Sequence, residues 1–253
     1  MTYSLITVEQ AKSPVSEAFR TFRTNVQFTS VDSETKKIMI TSAGPREGKS
    51  STVANLAVSM AQTGKSVLII DADLRNPTQH KLFGLDNSRG LSMALVQEYE
   101  LDTFIQESSV PGIMVLTGGP IPPNPAELVG SKRMKRLIEE VSGQFDIILI
   151  DTPPIVAVTD AAILAQEVDG VILVVASAEV NRDYAQRAKE QLDKVGAKIL
   201  GAVLNKADLK TSEYYYYYYY HGSEAPAKKR KRHKHEKKTT FFNLLHRNQK
   251  DVS

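Results

Sequence analysis

The chain of 253 residues contains no cysteine, which excludes a disulfide framework and any thiolate metal site and suits a reducing compartment. No apolar run approaches the ~20 residues that span a bilayer, and the opening MTYSLITVEQAK lacks the charged-then-apolar order of a secretory signal. The net charge of +3 conceals an acidic body and a basic end: residues 228–253 hold ten Lys/Arg against two acids, whereas residues 1–227 hold 22 against 27.

The first predicted element is a helix over PVSEAFRTFRTNVQF (14–28), opened by a proline. From residue 37 onward, short runs rich in Val, Ile and Leu alternate with longer amphipathic stretches. KIMITSA (37–43), VLIIDAD (67–73), GIMVLTG (112–118), DIILIDT (146–152), VILVVAS (171–177) and ILGAVLN (199–205) barely alternate in polarity, as strands buried on both faces do. Helices are expected over 49–63, 78–97, 125–142, 159–167 and 181–195. Strand, helix, strand in this repetition means parallel pairing with right-handed crossovers and helices on both sheet faces, an α/β fold. The pattern stops after Asp208. A folded domain is therefore expected over 1–208, followed by a disordered tail over 209–253.

SAGPREGKSS (42–51) follows the first strand and opens the first long helix. In that context a Gly-rich loop turns backbone N–H groups around a phosphate, a lysine reaches the outer phosphates and a hydroxyl serves Mg²⁺. Gly48, Lys49 and Ser50 supply the end of this pattern, and Ala43 stands where a first glycine is usual. Ala43, Gly44, Pro45, Arg46, Glu47, Gly48, Lys49, Ser50 and Ser51 are the expected nucleotide-binding residues of a P-loop NTPase-like domain. Asp71 and Asp73 close the second strand and Asp151 the fourth, all at the strand ends where such sheets gather ligands. Three carboxylates and a serine around a Mg²⁺–nucleotide are what phosphoryl transfer requires. One competing pattern is Asn205-Lys206-Ala207-Asp208, the N-K-x-D by which GTPases read guanine. Asp151 is followed by Thr-Pro-Pro rather than by a D-x-x-G switch, so guanine specificity is the minority reading, and Asn205 is assigned to the base pocket.

At these residues the chain resembles the bacterial tyrosine kinases, relatives of the P-loop ATPases that position septa and partition plasmids. The likeness rests on AGPREGKS, VLIIDADLR, ILIDTPP, the tract GPIPPNPAELVGSKRM (119–134) and the run of tyrosines Tyr214, Tyr215, Tyr216, Tyr217, Tyr218, Tyr219 and Tyr220. It points to the Gram-positive branch, in which a cytoplasmic kinase chain is brought to the inner face of the membrane by a transmembrane activator. The resemblance implies ATP and Mg²⁺ as cofactors, with Lys49 on the β/γ-phosphates, Ser50, Asp73 and Asp151 around the ion, and Asp71 facing the tyrosine hydroxyl. Glu17, Arg20 and Arg23 match the family's E-x-x-R-x-x-R pattern, which implies a homo-oligomeric ring, an octamer among its sizes. Without the resemblance, the same triplet reads as a solvated helix face with local ion pairs. Further partners implied are a tyrosine phosphatase and protein substrates such as polysaccharide-precursor enzymes, in capsule or exopolysaccharide production. The partitioning ATPases carry an extra lysine where Gly44 stands, which separates this chain from them.

Seven contiguous tyrosines cannot all pack in a core, because neighbouring side chains on a strand or helix point to different faces. As a kinase's own substrate on an exposed leash, they have a purpose. A span of 6 to 12 residues from Asp208 reaches at most ~20–43 Å, enough to enter a neighbour's site. Full phosphorylation adds roughly −10 to −14 of charge, more than the basic run 228–238 and its surroundings carry. The tail is thus expected to seek an acidic surface when unmodified and to neutralise itself when phosphorylated. A nucleic-acid binder would interleave aromatics over a folded surface, so nucleic acid is not an expected partner. A partitioning-type ATPase switch remains the alternative function.

Overall fold

The computed structural model describes residues 5–29, 35–97, 100–177 and 179–207. Asp208, the tyrosine run, the basic run 228–238 and the stretch FFNLLHR (241–247) lie outside the described residues. In chain order the helices are α1 (Ile6–Glu9), α2 (Pro14–Phe28), α3 (Lys49–Ala61), α4 (Gln79–Phe83), α5 (Leu91–Ala94), α6 (Pro125–Val129), α7 (Lys132–Ser142), α8 (Asp160–Leu164) and α9 (Arg182–Lys194). The strands are β1 (Lys37–Ser42), β2 (Val67–Asp71), β3 (Ile105–Glu107), β4 (Ile113–Leu116), β5 (Ile147–Asp151), β6 (Gly170–Ala176) and β7 (Ile199–Asn205).

The seven strands form one sheet in the order β3-β4-β2-β5-β1-β6-β7. All neighbours run parallel except β3, which pairs antiparallel with β4 at the edge. The apolar runs of β1, β2 and β5 feed cores on both faces. Met39, Leu68, Ile70, Ile148 and Ile150 join α7, α8 and α9 in one cluster, while Ile38, Ile40, Ile69 and Leu149 join α3 in the other. This is the period-2 alternation of a strand with both sides apolar. Because β5 inserts between β1 and β2, the loops after these three strands lie side by side at the C-terminal sheet edge, where such sheets bind ligands. Register completes the placement: Asp151 lies beside Asp71 on one side and Ile40 on the other.

Helix α3 explains its own composition. Every residue from Thr52 to Met60 is buried, because the sheet covers one side and α1 and α2 cover the other. Asn55 ties α1 down: its Oδ1 accepts from the Thr7 N–H at 3.1 Å and the Thr7 hydroxyl at 2.8 Å, and its Nδ2 donates to the Ser51 carbonyl at 2.9 Å.

Two expected helices are broken. Instead of one helix over 78–97 there are α4 and α5, because Gly84 takes a left-handed φ of 66° and its N–H closes α4 on the His80 carbonyl. The stretch 125–142 divides at Gly130, after which the Ser131 side chain accepts from the Met134 N–H and starts α7. The expected helix over 159–167 is shorter, Asp160–Leu164. Neither α1 nor β3 was anticipated.

Candidate active site at the phosphate loop

Gly48 adopts φ 90°, a conformation that a side chain strongly disfavours, and an added Cβ would lie 2.1 Å from the Asn205 amide nitrogen. No side chain caps α3 at Gly48. The first N–H groups of this 13-residue helix therefore face the loop without an intrahelical acceptor, as an anion site requires. Glu47 turns inward instead of toward a ligand. Its carboxylate accepts from the Gly44 N–H and, at 2.9 Å, from the Ala176 N–H, which pins the loop to β6. The Ser42 hydroxyl donates to the Gly44 carbonyl at 2.7 Å. Ala43 is buried, while Pro45 and Arg46 are exposed at the tip, Arg46 with a φ of 62°. Asn205, expected at the base pocket, places its amide on the loop backbone, donating to the Glu47 carbonyl at 2.8 Å. A cavity of about 400 Å³ adjoins the loop and is lined by Gly44, Pro45, Glu47, Asn181, Tyr184 and Arg187. A larger one of about 680 Å³, against Lys132 and Arg136 of α7, includes none of the predicted site residues.

The structure brings Lys49, Ser50, Asp71, Asp73 and Asp151 together. The Lys49 ammonium donates to Asp73 Oδ2 at 2.7 Å and to Ser50 Oγ at 3.2 Å, and it lies 3.5 Å from Asp151 Oδ1. Asp71 Oδ2 accepts two backbone N–H groups, from Thr78 at 2.8 Å and Gln79 at 2.9 Å. Asp71 Oδ1 and Asp151 Oδ1 are buried without a hydrogen-bond partner. Burial would depress Lys49, but the charges of Asp151 and Asp73 outweigh it and hold the ammonium above the usual lysine range. Burial, reinforced by the charge of Asp151, pushes the Asp71 carboxyl up to about 8. Burial also raises Asp151, against the opposing pull of Lys49, Ser50 and Gln79.

Three acidic side chains around one ammonium leave Asp71 Oδ1 buried without a partner and Asp151 Oδ1 with only the Lys49 ammonium at 3.5 Å, which fits a divalent cation. Among the described residues no group of three or more His, Cys, Asp or Glu side chains could hold an ion by itself. An ion here would thus complete its shell with Ser50, water and phosphate oxygens, as Mg²⁺ commonly does.

Sequence reasoning missed Gln79 and the Arg75–Asp160 pair. Gln79 is fully buried and joins the loop to Asp151, with Nε2 donating to Ser50 O at 3.1 Å and Asp151 Oδ2 at 2.8 Å. Arg75 grips the fully buried Asp160 with two bonds of 3.1 and 3.2 Å, tying the segment after Asp73 to the start of α8. Arg75 closes the motif VLIIDADLR, Gln79 follows it by four residues and Asp160 follows ILIDTPP by six, and that proximity was the one available signal. Of the α2 triplet, Arg20 pairs with Glu17, while Arg23 donates to the Ser59 carbonyl of α3 at 2.8 Å. Arg23 is thus engaged within its own chain.

Comparison with known proteins places this geometry. A family model of the ParA group, described as NUBPL iron-transfer P-loop NTPase, matches residues 33–239. Tyrosine-protein kinase YwqD of Bacillus subtilis is 50% identical over 215 residues, which are 85% of this chain and 91% of that protein. The putative tyrosine-protein kinase CapB of Staphylococcus aureus is 43% identical over 207 residues, covering 81% and 91%. The solved kinase domain of the Escherichia coli tyrosine kinase ETK superposes with a TM-score of 0.77 at 35% identity, over 81% of this chain and 82% of that one. With its loop, its strand-end carboxylates and these relatives, the chain belongs to the bacterial tyrosine kinases, within the ParA-like P-loop NTPases.

Proposed function

We propose that the chain is an ATP- and Mg²⁺-dependent protein-tyrosine kinase that phosphorylates its own tyrosines Tyr214–Tyr220, in trans within a ring of identical subunits. The observation that carries this reading is the convergence of Lys49, Ser50, Asp73 and Asp151 beside Asp71, a buried carboxyl with one unpaired oxygen. The contiguous tyrosines give such a site a substrate.

The first-turn N–H groups of α3 and Lys49 would hold the phosphates, with the ammonium turning from Asp73 toward them. Ser50, Asp73 and Asp151 would hold the ion, which when bound supplies neutralisation of phosphate charge. The phenol oxygen attacks the γ-phosphorus, the bond to ADP breaks, and the phenolic proton passes to Asp71. A phenol near pKa 10 gives its proton poorly to an ordinary carboxylate. Burial and the charge of Asp151 keep Asp71 protonated at neutral pH in the ion-free protein. A cation held by Asp73 and Asp151 would favour its ionised form, the form that accepts the phenolic proton.

Glu17, Arg20 and Arg23 of α2 are assigned to the subunit interface. A transmembrane activator at the inner face of the membrane, a tyrosine phosphatase and polysaccharide-precursor enzymes complete the proposed partners. Among the described residues no helix is long and apolar enough to cross a membrane, so recruitment through such a partner suits the body. A nucleotide-switching ATPase would use the same loop, but it has no use for the tyrosine run.

Mixing two variants tests the proposal. Lys49→Ala keeps the tyrosines but loses the phosphate-binding ammonium, and a second chain keeps Lys49 while Tyr214–Tyr220 become Phe. Phosphotyrosine on the Lys49→Ala chain, only in the mixture, is the expected result. Wild type that phosphorylates itself beside a mixture that stays unmodified would overturn the trans assignment.

A further inference from the structure

The segment between Asp73 and α4 makes an arrangement that the phosphate loop and the carboxylates do not by themselves explain. After Asp73 the chain folds back over the strand ends. Asn76 donates its N–H to Asp73 Oδ1 at 3.0 Å, and Pro77 packs so closely on Gly118 that an added Cβ there would lie 2.7 Å from the proline ring. The turn delivers the N–H groups of Thr78 and Gln79 to the same oxygen of Asp71. It also buries the Gln79 side chain completely.

Gln79 then touches three parts of the site at once. Its backbone N–H holds Asp71, and its amide nitrogen bridges Asp151 Oδ2 and the Ser50 carbonyl. Both of the latter are acceptors, so the donor end of the amide must face them. Its Oε1 is left buried without a partner. Asp71 stands on the side proposed to receive the acceptor tyrosine, while Ser50 and Asp151 stand on the side proposed to hold ion and phosphates. A rigid, fully buried amide joins the two.

We propose that Gln79 is a positioning residue that keeps Asp71 in register with the nucleotide side of the site. This rests on the kinase reading given above for the roles of the two sides. Register matters because phosphoryl transfer depends on an in-line approach, and displacements near 1 Å lower rates about 100-fold. The phosphates are assigned to the first-turn N–H groups of α3 and to the Lys49 ammonium, which the Gln79 side chain does not touch. Affinity for the nucleotide without the ion and the rate of transfer should therefore separate.

The test uses the full chain with Gln79→Met, which keeps length and apolar shape but removes the donor, and Gln79→Glu, which keeps shape and puts an acceptor against two acceptors. Three quantities are measured: affinity for ADP in the absence of divalent ions, thermal stability, and phosphoryl transfer at saturating Mg²⁺–ATP, scored both on tyrosine and as release to water. The expected result for Gln79→Met is at least a tenfold slower transfer to tyrosine, with nucleotide affinity within twofold of wild type. Gln79→Glu should be as slow or slower. Transfer by Gln79→Met within twofold of wild type would overturn the proposal. So would a loss of transfer matched by an equal loss of nucleotide affinity, since that is the behaviour of a residue that merely supports the loop. Wild type that releases phosphate to water but never labels tyrosine would refute the kinase reading, and Gln79 would then be judged by the same split in hydrolysis.

Discussion

Asp71 combines two conditions that ordinarily conflict: full burial beside another carboxylate, and two N–H donors aimed at one of its oxygens. Burial and Asp151 win, so the folded protein holds its proton up to about pH 8 against an ordinary value of 3.8. A group raised in this way contributes stability fully below its unfolded value and loses it as pH rises through the folded value. In nucleotide-free protein without divalent ions, Asp71→Asn removes that loss while its amide oxygen still accepts from Thr78 and Gln79. Denaturant unfolding should therefore show the variant gaining on wild type between pH 5 and pH 9. A constant difference across that range would contradict the assignment. Arg75 and Asp160 differ in the opposite sense, since the arginine side chain is 41% exposed and the aspartate wholly buried. Arg75→Ala strands a buried charge and should cost about 2–3 kcal/mol, more than Asp160→Asn, in equilibrium unfolding. These residues also show where sequence reading stops. Lys49 and Ser50 open the helix that a glycine-rich loop announces, and the three carboxylates sit at or just past strand ends that an apolar run announces. Gln79 lies in a polar stretch and Asp160 in an apolar one, and nothing in the order of amino acids separates a buried polar bridge from a solvated or capping residue.

Among the elements, α3 links the site to the N-terminal helices. It starts at the phosphate loop, and its far side receives Thr7 on Asn55 and Arg23 on the Ser59 carbonyl. Asn55→Ala removes an acceptor shared by two buried donors. It should cost about 1–3 kcal/mol and expose the α1 amides to faster hydrogen exchange. Full protection of Thr7 and Val8 in that variant would show that Asn55 does not hold α1. The six parallel strands and α2, α3 and α9 are close to what periodicity indicates, because their apolar runs are long and their ends are marked by polar or glycine residues. The segments 78–97 and 125–142 read as single helices because flanking apolar residues keep a helical spacing, although Gly84, Asp86, Asn87, Ser88 and Gly90 form a loop-type cluster inside the first. Gly84 and Gly130 are tolerated inside helical patterns, and only their backbone geometry shows that they end α4 and α6. The three residues of β3 carry too little alternation to be seen at all.

For the molecule as a whole, charge and register do different work. Inserting β5 between β1 and β2 aligns Asp71 with Asp151 and makes one acidic site, whereas the surplus positive charge belongs to residues 228–253. Each of those Lys/Arg near an anionic membrane is worth about 1 kcal/mol, and phosphotyrosine next to them cancels it. Unmodified chain should co-sediment with anionic lipid vesicles at low salt and release on phosphorylation. Binding that is indifferent to both salt and phosphorylation would contradict this. The central claim is tested most directly by the intact mass of the full chain after incubation with Mg²⁺–ATP, for wild type and Lys49→Ala, with an activating fragment supplied. Serial additions of about 80 Da per phosphate, mapped to Tyr214–Tyr220 and absent from the variant, are the predicted result. Hydrolysis of ATP with no phosphate retained on the chain would contradict it.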